Sequence, residues 1–346
     1  MRRVHYGAKR SDDKNTYGGY LPLMNEFITS VVLYTISILR DPNLFEAPRV
    51  LIGIEDDGSF RLFSKMLQSF KKFSPYDFRK SLVNPSASSV TPSYDAASFC
   101  YLAGLSTAMQ EIDPNFANYG TVEVEGAPLK AAKIDSNTLF LPANRDGHGG
   151  IYFNHLKRNT IQEVMQSDRE SCNFGAYIAQ AMIFDSMRPE ESPDLIRFVG
   201  GEKGCLKIKE GCEENFKQFM IGVRDFIEMP DNFIDFLREK LSREMFEKNP
   251  ALAMKEEVNI DQSCNQFFDL KRSITEYFKN ELQLFAQMFP EEAKAKSIWD
   301  NDVLKKIIDS RGVLSATPSP DAGKRGGEAS TLKLQRGAAA AEASLA

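Results

Sequence analysis

The sequence is poor in histidine, has no closely paired cysteines and contains no long uninterrupted apolar run. Its 346 residues include three histidines and five cysteines, with no CxxC pair. An odd cysteine count without a disulfide framework indicates a reducing compartment. Structural zinc sites need grouped cysteine and histidine ligands, which this sequence does not offer, so we expect no metal site.

The most apolar stretch, residues 27–39, is too short to cross a bilayer. As a helix its length is about 20 Å, whereas the hydrocarbon core of a membrane is about 30 Å thick. The pattern instead predicts a buried helix that begins near Pro22 and ends at Asp41. We therefore expect a soluble protein without a transmembrane segment. Residues 1–20 are polar and lack the apolar centre of a secretory signal, which predicts a flexible leader.

The chain also lacks an excess of positive charge. It has 43 Lys and Arg against 48 Asp and Glu, a formal net charge of −5. This balance argues against nucleic acid as a partner. A hydrophobic content of 42% is typical of a folded chain. From about Gly312 onward aromatic residues and periodicity disappear, so residues 312–346 are predicted to be a disordered tail.

Hydrophobic periodicity predicts mainly strands before Cys172 and helices after it. Residues 60–73 are predicted as a helix because their apolar groups recur at helical spacing. Strands are predicted at residues 50–54, 121–125, 129–134, 138–141, 149–153 and 160–165, the last five as an antiparallel meander. Further helices are predicted at residues 174–187, 213–226, 231–246 and 266–288.

Together these elements predict an α/β fold of the α+β kind. Its centre is a mostly antiparallel sheet flanked by helices. We expect this core over residues 21–200 and a helical portion packed on it over residues 201–311.

The residues around Cys172 form the most informative motif. They predict a strand, a polar loop, the cysteine and then a helix. The free amides and the dipole at a helix N-terminus stabilise a thiolate. Gln166, six residues earlier, can donate a hydrogen bond to a developing oxyanion. The motif predicts an acyl-transfer site with Cys172 as nucleophile, and the alternative is a buried cysteine at the start of a core helix.

Two histidines can supply the base for this nucleophile. His148 and His155 flank the strand predicted at residues 149–153, and Asp146 or Asp168 can orient either imidazole. His148 is the first candidate.

A competing arrangement uses Cys100. This cysteine is predicted near a helix start with His148 downstream, which is the order of a papain-like peptidase. No glutamine directly precedes it, so Cys172 is the preferred nucleophile. Cys205 and Cys212 bracket a lysine-rich hairpin and are predicted to have no role in the site.

A glutamine, five intervening residues, a cysteine and an apolar helix resemble the nucleophile signature of the ubiquitin-like-protease clan of cysteine peptidases. The same pattern resembles the related YopJ-type effector acetyltransferases. Residues 138–144, which end in Pro-Ala-Asn, are similar to the strand and turn upstream of that family's nucleophile. Five segments are similar, in order and approximate spacing, to the family's C-terminal regulatory part: residues 229–233, 248–250, 257–259, 272–274 and 277.

The sequence departs from the family at the partners of the nucleophile. Leu141 stands where the family has an acidic residue, and residues 121–125 contain no histidine. Asn173 follows the cysteine, where the family commonly has glycine. These differences leave His148 and His155 as the available bases.

The resemblance implies a cysteine-protease-like core and a bacterial effector, a virulence protein that a specialised secretion system delivers into the host cytoplasm. It implies acetyl-CoA as substrate, a Ser, Thr or Lys of a host protein as acceptor, and inositol hexakisphosphate as activator. The basic residues expected to bind this activator are Lys207, Lys209, Lys217, Arg224 and Arg272. Two alternatives stay open: a catalytically degenerate relative that only binds a host protein, and a cysteine peptidase or deubiquitinating enzyme of the same clan.

Overall fold

The computed structural model describes residues 6–10, 20–41, 44–54, 60–73, 96–109, 118–123, 129–134, 212–248 and 250–299. Over these ranges the protein is mixed α/β. The strands are β1 (Tyr6–Arg10), β2 (Phe45–Glu46), β3 (Val50–Ile54), β4 (Phe60–Lys65), β5 (Lys71–Lys72), β6 (Tyr119–Val122) and β7 (Lys130–Lys133). The helices are α1 (Tyr20–Leu39), α2 (Ala96–Ala108), α3 (Glu213–Ile227), α4 (Asp231–Lys248), α5 (Pro250–Tyr277), α6 (Lys279–Met288) and α7 (Pro290–Lys294).

The described strands form two small sheets. The first is antiparallel with the order β1-β4-β3, and the second has the order β2-β7-β6-β5. In the second sheet β2 runs parallel to β7, while the other pairs are antiparallel. Over the described residues the strands are therefore divided between two sheets, of which the second is mixed, and the central sheet predicted over residues 121–165 stays a prediction for its last three strands. The β6–β7 hairpin confirms the pairing predicted for the first two meander strands, and residues 138–165 lie outside the described ranges.

The helix predicted at residues 60–73 is wrong. These residues form β4, which pairs with β1 on one side and β3 on the other, and then β5. Leu62 and Phe63 are both buried although they are adjacent, and a short apolar run of this kind fits either period. Pairing with two neighbouring strands decides the outcome, since it satisfies the backbone groups on both edges of β4. Ser69, with φ of 58°, adopts a left-handed backbone that no α-helix accommodates.

Part of the predicted flexible leader is also corrected. Within it, β1 pairs with β4 in a continuous antiparallel register from Tyr6 opposite Lys65 to Arg10 opposite Arg61. The sequence of β1 shows no apolar alternation, so its strand is defined by backbone pairing with β4.

Helix α1 confirms the helix predicted to begin near Pro22. Each residue from position 23 to position 33 is buried, including the polar residues Asn25 and Thr29. The helix packs against α5 and against strands of both sheets, β2 of the second and β3 and β4 of the first. A helix buried on all its faces lies at the centre of a core.

Helices α2 and α3 cross at very close range. A Cβ atom added at Gly104 of α2 would lie 2.0 Å from the carbonyl oxygen of Phe219. One added at Gly222 of α3 would lie 2.3 Å from the carbonyl oxygen of Tyr101. The two backbones therefore touch, and glycine is required at both positions because any side chain would separate the helices.

The C-terminal helices begin with the signals that the sequence gives. Helices α3 and α4 confirm the helices predicted at residues 213–226 and 231–246. Residues 266–288, predicted as one helix, belong to two helices. Helix α5 extends from Pro250 to Tyr277, and α6 begins after Phe278. Proline suits a first helical position because its missing N–H has no intrahelical partner there. After α7 the chain returns to α4, where Trp299 meets Phe233 with ring centroids 5.4 Å apart.

Candidate functional site

The predicted catalytic residues Cys172, Gln166 and His148 lie outside the described residues. The same holds for His155 and for the two possible orienting residues, Asp146 and Asp168. The assignment of nucleophile, oxyanion donor and base therefore stays a prediction from sequence.

The structure corrects the competing assignment of Cys100. Helix α2 begins at Ala96, so Cys100 lies one turn inside the helix, and none of its surface is exposed. A thiol needs access and a stabilised thiolate to act as a nucleophile. The papain-like arrangement built on Cys100 is therefore wrong.

The other described cysteines are buried as well. Cys212 precedes α3 and Cys264 lies on the buried face of α5. Burial raises the pKa of the Cys264 thiol to about 12, although the positive charge of Arg238 lowers it in part. All three thiols in the described part of the chain thus have the surroundings of core residues.

Two of the residues predicted to bind a polyphosphate meet at one glutamate. Lys217 Nζ lies 2.5 Å from a carboxylate oxygen of Glu214 and 3.3 Å from one of Glu292. The hydrogen bond to Glu214 is the main reason that the pKa of Lys217 is raised, and burial opposes it. Arg224 is buried, donates to the carbonyl oxygen of Glu292, and lies 3.6 Å from the carboxylate of Glu228. Each cation therefore already has an anionic or carbonyl partner.

Arg272 belongs to different surroundings. Its side chain on α5 is 84% exposed, and the carboxylate of Asp269 lies 3.8 Å away. Lys207 and Lys209 lie outside the described residues. Of the five predicted activator ligands, the structure brings together Lys217 and Arg224, and it places Arg272 in a separate exposed pair.

A buried polar cluster that the sequence did not predict lies around Asp225. We use the name Asp225 cluster for Arg40, Tyr101, Asp225 and Trp299. The carboxylate of Asp225 is fully buried and accepts two hydrogen bonds from the guanidinium of Arg40, one of them 2.8 Å long. It accepts a third, also 2.8 Å, from the hydroxyl of Tyr101. Burial, reinforced by the charge of Asp225, raises the pKa of Tyr101 well above its ordinary value, so the hydroxyl stays a donor.

Trp299 adds the C-terminal segment to the cluster. Its indole Nε1 donates a 2.6 Å hydrogen bond to the backbone carbonyl of Asp225. This carbonyl lies in the last turn of α3, where helices leave carbonyls without an intrahelical donor. The cluster joins α1, α2, α3 and the chain after α7 through one residue. Because its carboxylate is enclosed and accepts three hydrogen bonds, Asp225 is suited to holding the fold together.

A buried lysine lies on the second sheet. Lys133 of β7 is 1% exposed, and its Nζ lies 4.6 Å from the ring centroid of Tyr119, its cross-strand partner on β6. The same face of the sheet carries Phe45, whose ring meets Tyr101 of α2 at 5.5 Å between centroids. The lysine therefore points into the interface between the sheet and α2, where a cation over an aromatic face is stabilised.

Among the residues that the structure describes, no group of three or more His, Cys, Asp or Glu is arranged to hold a metal ion. None of the described helices is both long enough and apolar enough to cross a membrane. Comparison with protein-family models, curated proteins and solved structures finds no match to this chain.

Proposed function

We propose that this protein is a cysteine-dependent acetyltransferase of the YopJ type, with Cys172 as nucleophile. The observation that carries the proposal is the burial of Cys100, Cys212 and Cys264, which removes three of the five thiols as candidates. Of the other two, Cys172 alone is preceded by a glutamine at the spacing of the nucleophile signature and followed by an apolar helical pattern. The burial of the other cysteines and the nucleophile signature therefore both favour Cys172.

The proposed reaction has two steps, in which every proton passes through His148. His148 takes the proton of Cys172, and the thiolate attacks the carbonyl carbon of acetyl-CoA. The amide of Gln166 stabilises the oxyanion until the C–S bond to coenzyme A breaks, and the leaving thiolate takes the proton from His148. A hydroxyl or amine of a host protein then attacks the acetyl-enzyme and gives its proton to His148, which returns it to Cys172.

The proposal includes a cysteine-protease-like core. Its support is the β6–β7 hairpin, which directly precedes the residues of the Pro-Ala-Asn turn in the sequence, and the helical part that follows the nucleophile. A bacterial origin, delivery into the host cytoplasm through a specialised secretion system and a host protein as partner belong to the same proposal and rest on the motif resemblance.

Of the claims in this proposal, activation by inositol hexakisphosphate depends most on the helical region. Lys217 and Arg224 both contact Glu292, so a polyphosphate bound at these residues must compete with that glutamate. We propose that release of Glu292 accompanies activator binding, since phosphate oxygens offer stronger charge-assisted hydrogen bonds than one shared carboxylate.

The test is the formation of an acetyl-enzyme. Full-length protein is mixed with labelled acetyl-CoA, with and without inositol hexakisphosphate, and the labelled peptide is located by mass spectrometry. We expect label on Cys172, loss of the label in Cys172→Ala, and no change in Cys205→Ala, the matched control thiol. His148→Ala should slow labelling by about 10²-fold or more. Label that persists in Cys172→Ala would contradict the assignment.

The binding-only alternative is favoured by one observation. The strand that holds the family's base corresponds to residues 121–125, and no histidine lies there or in β6. If Cys172 forms no acetyl-enzyme, and His148→Ala and His155→Ala leave its alkylation rate unchanged, the degenerate relative is the better account. The third alternative, a peptidase or deubiquitinating enzyme, predicts covalent capture of Cys172 by a ubiquitin-like suicide probe and no acetyl-enzyme.

A further inference from the structure

Glu281 is a carboxylic acid placed on the apolar stripe of a core helix. It lies in the first turn of α6 and is 3% exposed. Phe278 precedes it by three residues and Phe285 follows by four, and both rings are almost completely buried. Residues at these spacings share one helix face, so the carboxyl group sits between two core phenylalanines.

The carboxyl group has few polar contacts. Its Oε2 atom is buried and has no hydrogen-bond partner in the described part of the chain. Burial raises the pKa of Glu281 above its ordinary value, and a hydrogen bond from its own backbone amide opposes that shift. An ionised carboxylate in such a place loses most of its hydration, and the hydrogen bond from its own backbone amide compensates for only part of that loss.

Among the residues that the structure describes, no charged group offsets this loss. Helix α6 packs against α3, α5 and α7. Charged residues on these helices include Lys217, Arg224, Lys271, Glu276, Glu291, Glu292 and Lys294. Those whose pairings are described engage other residues: Lys271 meets Asp231, and Glu276 meets Lys279 at the surface. None of them is among the causes of the shift at Glu281, which are burial and its own backbone.

We propose that Glu281 makes the α5–α6 junction a pH-responsive joint, in which ionisation of the enclosed carboxyl group weakens the packing of α6 on the core. The sign follows from proton linkage, because the folded state binds this proton more tightly than the unfolded state. The stabilisation is complete below the unfolded value of 4.5 and is lost as pH rises through the folded pKa.

The experiment compares full-length wild type with Glu281→Gln, which keeps the shape and removes the ionisation. Urea denaturation is followed by the fluorescence of Trp299, the only tryptophan of the chain, from about pH 4, below the unfolded value of Glu281, to about pH 8. We expect the two proteins to have similar unfolding constants at the acid end. The wild-type constant should then grow relative to that of the variant, by about ten-fold for each unit by which the folded pKa exceeds the unfolded one.

Glu276→Gln is the matched control, since Glu276 is exposed and pairs with Lys279 at the surface. It should keep the wild-type pH profile. If Glu281→Gln folds poorly, Glu281→Leu serves the same purpose, because it too lacks the titration. The proposal would be overturned if the ratio of the wild-type to the Glu281→Gln unfolding constant did not change with pH, or if it increased as the pH is lowered.

Discussion

Helices α2 and α5 both belong to the core, but they are fixed in place by different means. From Ser98 to Ala108, α2 is buried on every side, and at Gly104 its backbone touches that of α3. Helix α5 buries one stripe, which includes Phe267 and Ile274, and exposes the opposite face with ion pairs such as that of Arg272. The comparison shows that backbone contact and one enclosed ion pair define the centre, whereas amphipathic packing defines the periphery.

The two regions should respond differently to loss of an ion pair. Asp225→Ala removes the acceptor of Arg40 and Tyr101 and leaves a mostly buried guanidinium without its carboxylate. We expect a loss of about 3 kcal/mol in the free energy of unfolding, measured by urea denaturation with circular dichroism.

The matched control is Asp235→Ala in the periphery. Asp235 accepts a 2.6 Å hydrogen bond from Arg238, but both side chains are more than a third exposed. Its loss should cost less than about 1 kcal/mol. Equal losses at the two positions would show that the Asp225 cluster is no more important than a surface pair.

Backbone contact at the centre predicts the next largest effect. Gly104→Ala places a methyl group 2.0 Å from the carbonyl oxygen of Phe219, so α2 and α3 must separate. We expect a loss of about 2 to 3 kcal/mol in thermal or chemical denaturation. Gly53→Ala is the control, because its methyl group would meet the ring of Phe63 at 3.0 Å, and a side chain can move. A larger loss at Gly53 would contradict this description of the crossing.

The sequence predicted helices α1, α3 and α4 better than it predicted the contacts at the centre. Helices α3 and α4 follow from their apolar stripes and from the start signal at Pro230 and Asp231. Helix α2 is apolar on all sides, so it has no periodicity to detect. The pairing of Arg40 with Asp225 spans 185 residues and leaves no local pattern. An aspartate next to Phe226 on the buried side of α3 was the one available signal of an enclosed ion pair.

A smaller effect concerns the place where the C-terminal segment joins the centre. Trp299→Phe keeps a ring beside Phe233 but removes the donor to the carbonyl of Asp225. We expect a loss of about 1 kcal/mol, together with faster amide exchange in the last turn of α3. An unchanged stability would indicate that water replaces the indole at this carbonyl.

The smallest stability effect should be at Arg272, and this makes it the best probe of a binding role. Arg272→Ala removes an exposed side chain 3.8 Å from Asp269, so the free energy of unfolding should change by less than about 0.5 kcal/mol. If Arg272 belongs to the proposed polyphosphate site, calorimetric titration with inositol hexakisphosphate should nevertheless show weaker, salt-sensitive binding.

Glu292→Gln should act in the opposite direction, because it releases Lys217 from one of its two carboxylates. Weaker binding by Arg272→Ala together with tighter binding by Glu292→Gln would indicate that one ligand contacts both Arg272 and the pair formed by Lys217 and Arg224. An affinity that neither variant alters would remove the activator from the proposed function and leave these ion pairs as features of the helical periphery.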